Sequence, residues 1–424
     1  MFKKNALKLY RKLSRFENSY GSEMVSKIIL GRVFYKVFTQ TSIKVLTKIY
    51  KKSKSNRILF DAEPDFSGNA KALYDYMIEH GYNKKYKITW LVDNPKIYKD
   101  YKTKNVRFIQ RTSPYHRFHK LKCYMAALQA RYVFFTKYFT WLEVKPKNQV
   151  RVELWHGCGM RAATEKEQEL IEFDYCTVPG DVFVKTKAKF FGCAEKKILP
   201  IGEARYKYFY TKRKEAEQLY EQLTGSHKDK KTILWMPLYR KAMVLTRYKT
   251  GVASMMGLPM IHSIMDMPKL NALCEKNQIH LMIYCNPDVE TLKKEVGNLS
   301  HISFLTEETC WAANVDMYEL LPQFDALLSD FSAVAMDYLL LDKPTGYLLE
   351  DYEEYKEANG FVFENPLEYM PGEHIYTWDE LEKFFAHIVE GKDEYKQARQ
   401  EVRKKTYNET EDYCKRILEK FNIV

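Results

Sequence analysis

The segment Leu154-Trp155-His156-Gly157-Cys158-Gly159-Met160-Arg161 sets one imidazole between an apolar run and two glycines. The run Arg151–Leu154 reads as a strand and Arg161–Leu170 has helical composition, so His156 is expected on a strand-to-helix turn. There a His serves as general base, and neighbouring glycines let backbone N–H groups approach an anion. A lone His is more often structural; the glycines and the strand-end position favour catalysis.

A second segment, Leu327-Leu328-Ser329-Asp330-Phe331-Ser332-Ala333-Val334-Ala335-Met336-Asp337, follows a strand pattern and opens a helix. Ser332 is the natural N-cap, and the N–H groups behind it suit a pyrophosphate. Capping alone does not account for Asp337, a carboxylate on an otherwise apolar helix that is expected to accept hydrogen bonds from a polyol. Pro200-Ile201-Gly202-Glu203-Ala204-Arg205 and Trp235-Met236-Pro237-Leu238-Tyr239-Arg240 each put an Arg just past a Pro- or Gly-bearing turn. A guanidinium fork bonds two phosphate oxygens at once, although either Arg taken singly also fits a surface ion pair.

Short apolar runs separated by helical patterns must position these turns. Expected strands are Arg57–Phe60, Tyr86–Val92, Val106–Ile109, Tyr132–Phe135 and Arg151–Leu154, then Thr232–Met236, His280–Tyr284, Ile302–Phe304, Ala326–Leu328 and Thr345–Leu348. Helices are expected at Asn69–His80, Pro114–Leu128, Lys269–Asn277, Met317–Leu320 and Ser332–Leu340. Strands alternating with helices imply parallel sheets. The pattern predicts an α/β chain of two Rossmann-like domains facing a cleft, with ligands at the carboxyl ends of the strands. The expected divisions are a basic arm over residues 1–56, an N-terminal Rossmann-like domain over 57–205, a C-terminal Rossmann-like domain over 206–390 and a C-terminal helix over 391–424. No G-x-G-x-x-G follows the first strand, which disfavours a nicotinamide enzyme.

At 424 residues and 46% hydrophobic, the chain is long enough for two cores and too apolar for disorder. Its net charge of +13 is concentrated at the start, where residues 1–55 hold fourteen Lys and Arg against Glu17 and Glu23. Residues 24–50 interleave cations with apolar side chains, and the cations interrupt every stretch that a bilayer span would need. A basic amphipathic helix lying on an anionic membrane is the reading preferred over a helix packed on the body; nucleic acid is not expected as a partner. The eight Cys show no C-x-x-C pair and no metal-ligand spacing, and no secretory signal is visible, so reduced thiols and a cytoplasmic location are expected.

Taken in order, the WHG turn with a basic residue five positions after the His, the G-x-x-R turn, the strand ending in Pro237 with Arg240 three later, and S-D-F-S-A-V-x-x-D-Y followed by D-K-P resemble the CDP-glycerol glycerophosphotransferase family, whose members prime or build teichoic acids and related polymers. The resemblance runs from about Arg57 to the C-terminus. It implies a GT-B-like fold and a transfer without metal or other cofactor, in which a CDP-activated polyol donates to a lipid-linked or glycan acceptor at the cytoplasmic face of the membrane. It implies that His156 is the base, that Trp155, Gly157, Cys158 and Gly159 surround the donor, and that Arg205, Pro237, Leu238, Arg240, Ser332, Ala333 and Asp337 bind it. The chain departs from the family pattern where Cys158-Gly159 stands for Thr-Pro, where Ala333 stands for Ser, and where Asn286 stands for a second catalytic His. Asn286 can hold a phosphate oxygen but cannot protonate a leaving group, and His280 and His301 are the nearest replacements in sequence.

Two other readings compete. A sugar-nucleotide glycosyltransferase would share the two-domain scaffold, and the spacing of Asp337 from Ser332 argues against it. A non-catalytic envelope-polymer binding protein would not need the base His156.

Overall fold

The computed structural model describes residues 41–43, 45–111, 117–136, 144–162, 173–227, 229–238, 258–284, 294, 297–408 and 411–424. Arg240 and Asn286 lie outside these residues, as does most of the amphipathic arm.

Among the described residues thirteen strands form two sheets. The first holds β1 (Lys54–Asp61), β2 (Lys87–Val92), β3 (Val106–Gln110), β4 (Ala130–Phe135), β5 (Val150–Glu153), β6 (Tyr175–Thr177) and β7 (Ile198–Leu199), in the order β3-β2-β1-β4-β5-β6-β7. The second holds β8 (Lys231–Trp235), β9 (Ile279–Tyr284), β10 (Ile302–Leu305), β11 (Ala326–Ser329), β12 (Thr345–Leu348) and β13 (Glu373–Ile375), in the order β10-β9-β8-β11-β12-β13. The described pairings within both sheets are parallel. The α/β expectation therefore holds. By compactness the chain divides into two units, one carrying β1–β3 and the other β5–β13, and the division falls within β4.

Every anticipated strand is present to within a few residues. Strands β6, β7 and β13 were not anticipated: at two or three residues they are too short to show a period. Arg161 and Ala162 are not helical as expected. Arg161 bridges Phe361 and the Ala162 N–H donates to the Gly360 carbonyl at 3.1 Å, while residues 163–172 lie outside the described set.

In the second sheet the central strands are buried on both faces, as parallel sheets require, and so read as continuous apolar runs. Ile233, Trp235, Leu281, Ile283, Leu328 and Leu348 pack with helix Asp266–Lys276 and helix Trp378–Glu390 into one core. In this 3-2-1-4-5-6 type of order the side on which successive strands are added changes between β8 and β11. In sheets of this type ligands bind at the switch point, beyond the carboxyl ends of those two strands. The turns singled out at Pro237 and Ser332 follow β8 and β11.

Candidate active site

Three turns of the second unit converge. The Leu154 N–H donates to the Phe135 carbonyl at 2.8 Å, which carries the chain out of β5 into the Trp155–Gly159 turn. Trp155 has φ 56°, a left-handed conformation costly for a bulky residue, and strain of this kind collects at functional sites. Its N–H donates to Glu153 Oε1 at 2.8 Å and its indole is buried. The exposed imidazole of His156 lies against that indole, with centroids 4.1 Å apart and planes tilted by 34°. His156 is thus presented outward on a fixed aromatic floor.

Gly157 has φ 117°, and a Cβ there would stand 2.6 Å from Arg205 Nη2 and 3.0 Å from Ala333 Cβ. Gly159 packs against Ala333 in the same way. The structure therefore joins the WHG turn, Arg205 and the start of helix Ala333–Tyr338, three features far apart in sequence. Arg205 is buried. Its Nη1 donates to the His156 carbonyl at 3.2 Å, and its Nη2 donates to Asp337 Oδ2 at 2.6 Å and lies 3.0 Å from Glu203 Oε2. Its Nε–H is buried without a partner among the described residues.

Asp337 does not stand open to a polyol as expected. Besides Arg205 it accepts from the Tyr206 hydroxyl at 2.6 Å and the Tyr318 hydroxyl at 2.5 Å, and it is fully buried. The Tyr318 ring also lies under the guanidinium, 4.3 Å away, and its helix is fixed by a capping box between Asp316 and Glu319. Burial lowers the affinity of Arg205 for its proton, but Glu203, Tyr318 and Asp337 more than reverse this and the guanidinium stays charged. Burial lifts the Glu203 carboxyl to about 7, against the pull of Arg205 and with the push of Asp337. Burial also raises the Cys158 thiol to about 12, so it is protonated and is no nucleophile.

At the switch point, Ser332 stands at the N-cap of helix Ala333–Tyr338 as expected, and Asp330 ties its turn to the end of β8. The Leu238 N–H donates to Asp330 Oδ1 at 3.0 Å, the Ser332 N–H donates to the same oxygen at 3.1 Å, and Ser329 Oγ donates to the Met236 carbonyl at 2.6 Å. The Ser332 side chain makes no capping bond. Pro237, Leu238, Ser332 and Ala333 are thereby brought to one edge of the second sheet. In the turn before Arg205, Gly202 has φ 84° and a Cβ there would meet Tyr413 Cδ1 at 2.2 Å, so it makes room for the C-terminal helix Tyr413–Lys420.

His280 and His301 cannot replace the second catalytic His. His280 pairs with Thr232 at the amino ends of β9 and β8, and His301 precedes β10, whereas the site lies at the carboxyl ends. His280 Nε2 meets Ser303 Oγ at 2.8 Å, and burial together with His227, His301 and Lys230 pushes its imidazole down to about 4.

Sequence reasoning missed Asn69, Glu203, Tyr206, Tyr318 and Asp330. Asn69 is the hub among them: its Nδ2 reaches the Leu154 carbonyl at 3.0 Å, the Trp155 carbonyl at 3.1 Å and Glu203 Oε2 at 3.0 Å, while its Oδ1 accepts the Arg205 N–H at 2.9 Å. The one available signal was Asp330, placed two residues before Ser332 in the arrangement of an Asx turn. Among the described residues no cluster of His, Cys, Asp or Glu suits a metal ion.

A family model described as "CDP-Glycerol:Poly(glycerophosphate) glycerophosphotransferase" matches residues 43–418. The teichoic acid ribitol-phosphate primase of Bacillus spizizenii is 26% identical over 54% of this chain, and the match spans 58% of that relative's length. The teichoic acid poly(glycerol phosphate) polymerase of the same organism is 26% identical over 70% of the chain and 75% of its own length. A solved structure of the wall teichoic acid polymerase TagF superposes with a TM-score of 0.68 at 17% identity, covering 94% of this chain and 98% of that one, a likeness of fold.

Proposed function

The chain belongs to the CDP-glycerol:poly(glycerophosphate) glycerophosphotransferase family, and from that premise we propose that it moves glycerol phosphate, or a similar polyol phosphate, from a CDP-alcohol onto a hydroxyl of a teichoic-acid-type acceptor. The acceptor oxygen attacks the glycerol-bearing phosphorus, the bond to the bridging oxygen breaks, and CMP leaves. His156 takes the acceptor's proton, which fits an exposed imidazole on a rigid turn. Residues 57–205 serve the acceptor and residues 206–390 the CDP-alcohol.

The observation that carries this reading is the single buried network in which Arg205 holds both the His156 carbonyl and Asp337. It ties the base to the switch-point edge that carries Pro237, Leu238, Ser332 and Ala333. The donor's pyrophosphate is assigned to that edge, with positive charge from Arg205, whose Nε–H has no partner among the described residues, and from Arg240. In-line phosphoryl transfer needs mainly positioning and charge stabilisation, and we assign no metal or cofactor to it. Asn286 is assigned to a phosphate oxygen.

The acceptor is proposed to be lipid-linked and reached at the cytoplasmic face of the membrane. The described end of the amphipathic segment is helical over residues 41–43 and 45–49, with Val45 50% and Ile49 64% exposed. No helix among the described residues is long and apolar enough to cross a membrane. Interfacial binding by this helix supplies the surface on which a lipid-linked acceptor is met.

Thermal unfolding with CDP-glycerol, CDP-ribitol and UDP-glucose tests the donor assignment. A CDP-alcohol raises Tm by several degrees and UDP-glucose does not; stabilisation by UDP-glucose alone would transfer the site to sugar-nucleotide chemistry.

A further inference from the structure

The aromatic floor under His156 carries a cation that the proposed transfer does not use. Lys187, on helix Val184–Phe191, sets its Nζ 4.1 Å from the Trp155 ring centroid, 4.9 Å from that of Phe190 and 5.9 Å from that of Phe191. Phe190 and Phe191 meet Trp155 edge-on, at 5.4 and 5.1 Å, so the three rings form one cage. Lys187 is half-buried, and among the described residues no carboxylate lies within ion-pair distance of it; its partners are aromatic faces. Its charge is nonetheless felt by the buried groups around it, Cys158 and Glu203 among them.

Surface lysines usually keep the ammonium fully in water. Here the ammonium is partly withdrawn over rings whose attraction is worth roughly 0.5–2 kcal/mol, and among the described residues its three N–H donors meet no protein oxygen. Such a cation has already lost part of the hydration that an anion would have to displace. It shares the indole of Trp155 with the His156 imidazole, the ammonium and the imidazole centroid each lying 4.1 Å from the indole centroid, so one phosphate-bearing substrate can border both groups.

We propose that Lys187 Nζ binds a phosphate oxygen of a substrate lying against His156. The assignment rests on the glycerophosphate-transfer reading of the site and adds a residue to it. Both substrates of that reaction carry phosphate, the donor as a diphosphate and the acceptor as phosphate esters along its chain. The binding chemistry is common to the two, and the experiment separates them.

Binding of CDP-glycerol and of sn-glycerol 3-phosphate is measured by calorimetry on the wild-type chain, on Lys187→Met and on Lys187→Arg. Met keeps an unbranched stem over Trp155 and removes the charge; Arg keeps the charge. Loss of one charge-assisted contact weakens binding about 10-fold in Lys187→Met, and Lys187→Arg restores it to within about threefold. The ligand that weakens identifies the source: sn-glycerol 3-phosphate for an acceptor phosphate, CDP-glycerol for the donor. Lys187→Gln repeats the test should the Met variant not fold. Equal affinities in wild type and Lys187→Met for both ligands, absence of binding to either included, overturn the proposal. Failure of the transferase reading shows separately, as no CMP released by the wild-type chain.

Discussion

Arg205 and Asp337 lie 132 positions apart in sequence and meet through a 2.6 Å contact buried from solvent, and the same guanidinium donates to the carbonyl of His156 at 3.2 Å. The pair is thus a brace between the switch-point helix and the turn that carries the proposed base. Asp337 acts through Arg205 and is a positioning residue.

Replacing Asp337 with Asn keeps the shape but leaves the Arg205 charge with Glu203 alone. Breaking a buried pair costs about 3–5 kcal/mol. The expected result for Asp337→Asn is a Tm lowered by several degrees, with CMP release reduced at least 10-fold even where the protein is folded. Unchanged turnover in the folded variant would separate Asp337 from the positioning of His156.

Gly157→Ala tests the closeness of the three turns. Its φ of 117° and the 2.6 Å approach of Arg205 Nη2 leave a Cβ no room, so the His156 turn must shift away from Arg205 and Ala333. Strain of this class costs about 1–3 kcal/mol. Displacement of the base by even about 1 Å costs on the order of 100-fold in rate. Steady-state CMP release and thermal unfolding of the variant check both parts; a variant with wild-type kcat would show that the turn tolerates the shift.

Glu203 gives the site a pH signature. Its carboxyl rises from an ordinary 4.5 to about 7 on folding, mainly through burial. Between these values the folded chain binds the proton and the unfolded chain does not, so the stability contributed by this group is complete below pH 4.5 and is lost as pH rises through 7. Glu203→Gln, which keeps an oxygen for Asn69, removes this descent. Thermal unfolding from pH 4.5 to 8 should show a wild-type slope that is flatter in the variant; parallel curves would mean that Glu203 ionises in the fold as it does in water.

The sheets were legible because strands buried on both faces print continuous apolar runs, as Ile279–Tyr284 and Ala326–Ser329 do. Tyr175–Thr177 and Ile198–Leu199 carry too few residues for a period, and their pairing is decided by neighbours. The turns at His156, Pro237 and Ser332 were legible from residue type at strand ends. The roles of Asp337 and Arg205 were not, because a carboxylate on an apolar helix looks the same whether it faces a ligand or a guanidinium from elsewhere in the chain. Asn69 and Tyr318 left no mark at all, since their value lies in long-range geometry. Ser332 caps its helix by position only: its side chain makes no capping bond, and its own N–H is held by Asp330, two residues earlier.

Acceptor-dependent release of CMP from CDP-glycerol, by wild type and His156→Ala on vesicles bearing a lipid-linked acceptor, tests the central claim most directly. Release by wild type is expected to depend on the acceptor and to fall at least about 100-fold in His156→Ala, as loss of a general base requires. Absence of CMP from the wild-type chain, or equal release by the variant, would contradict it.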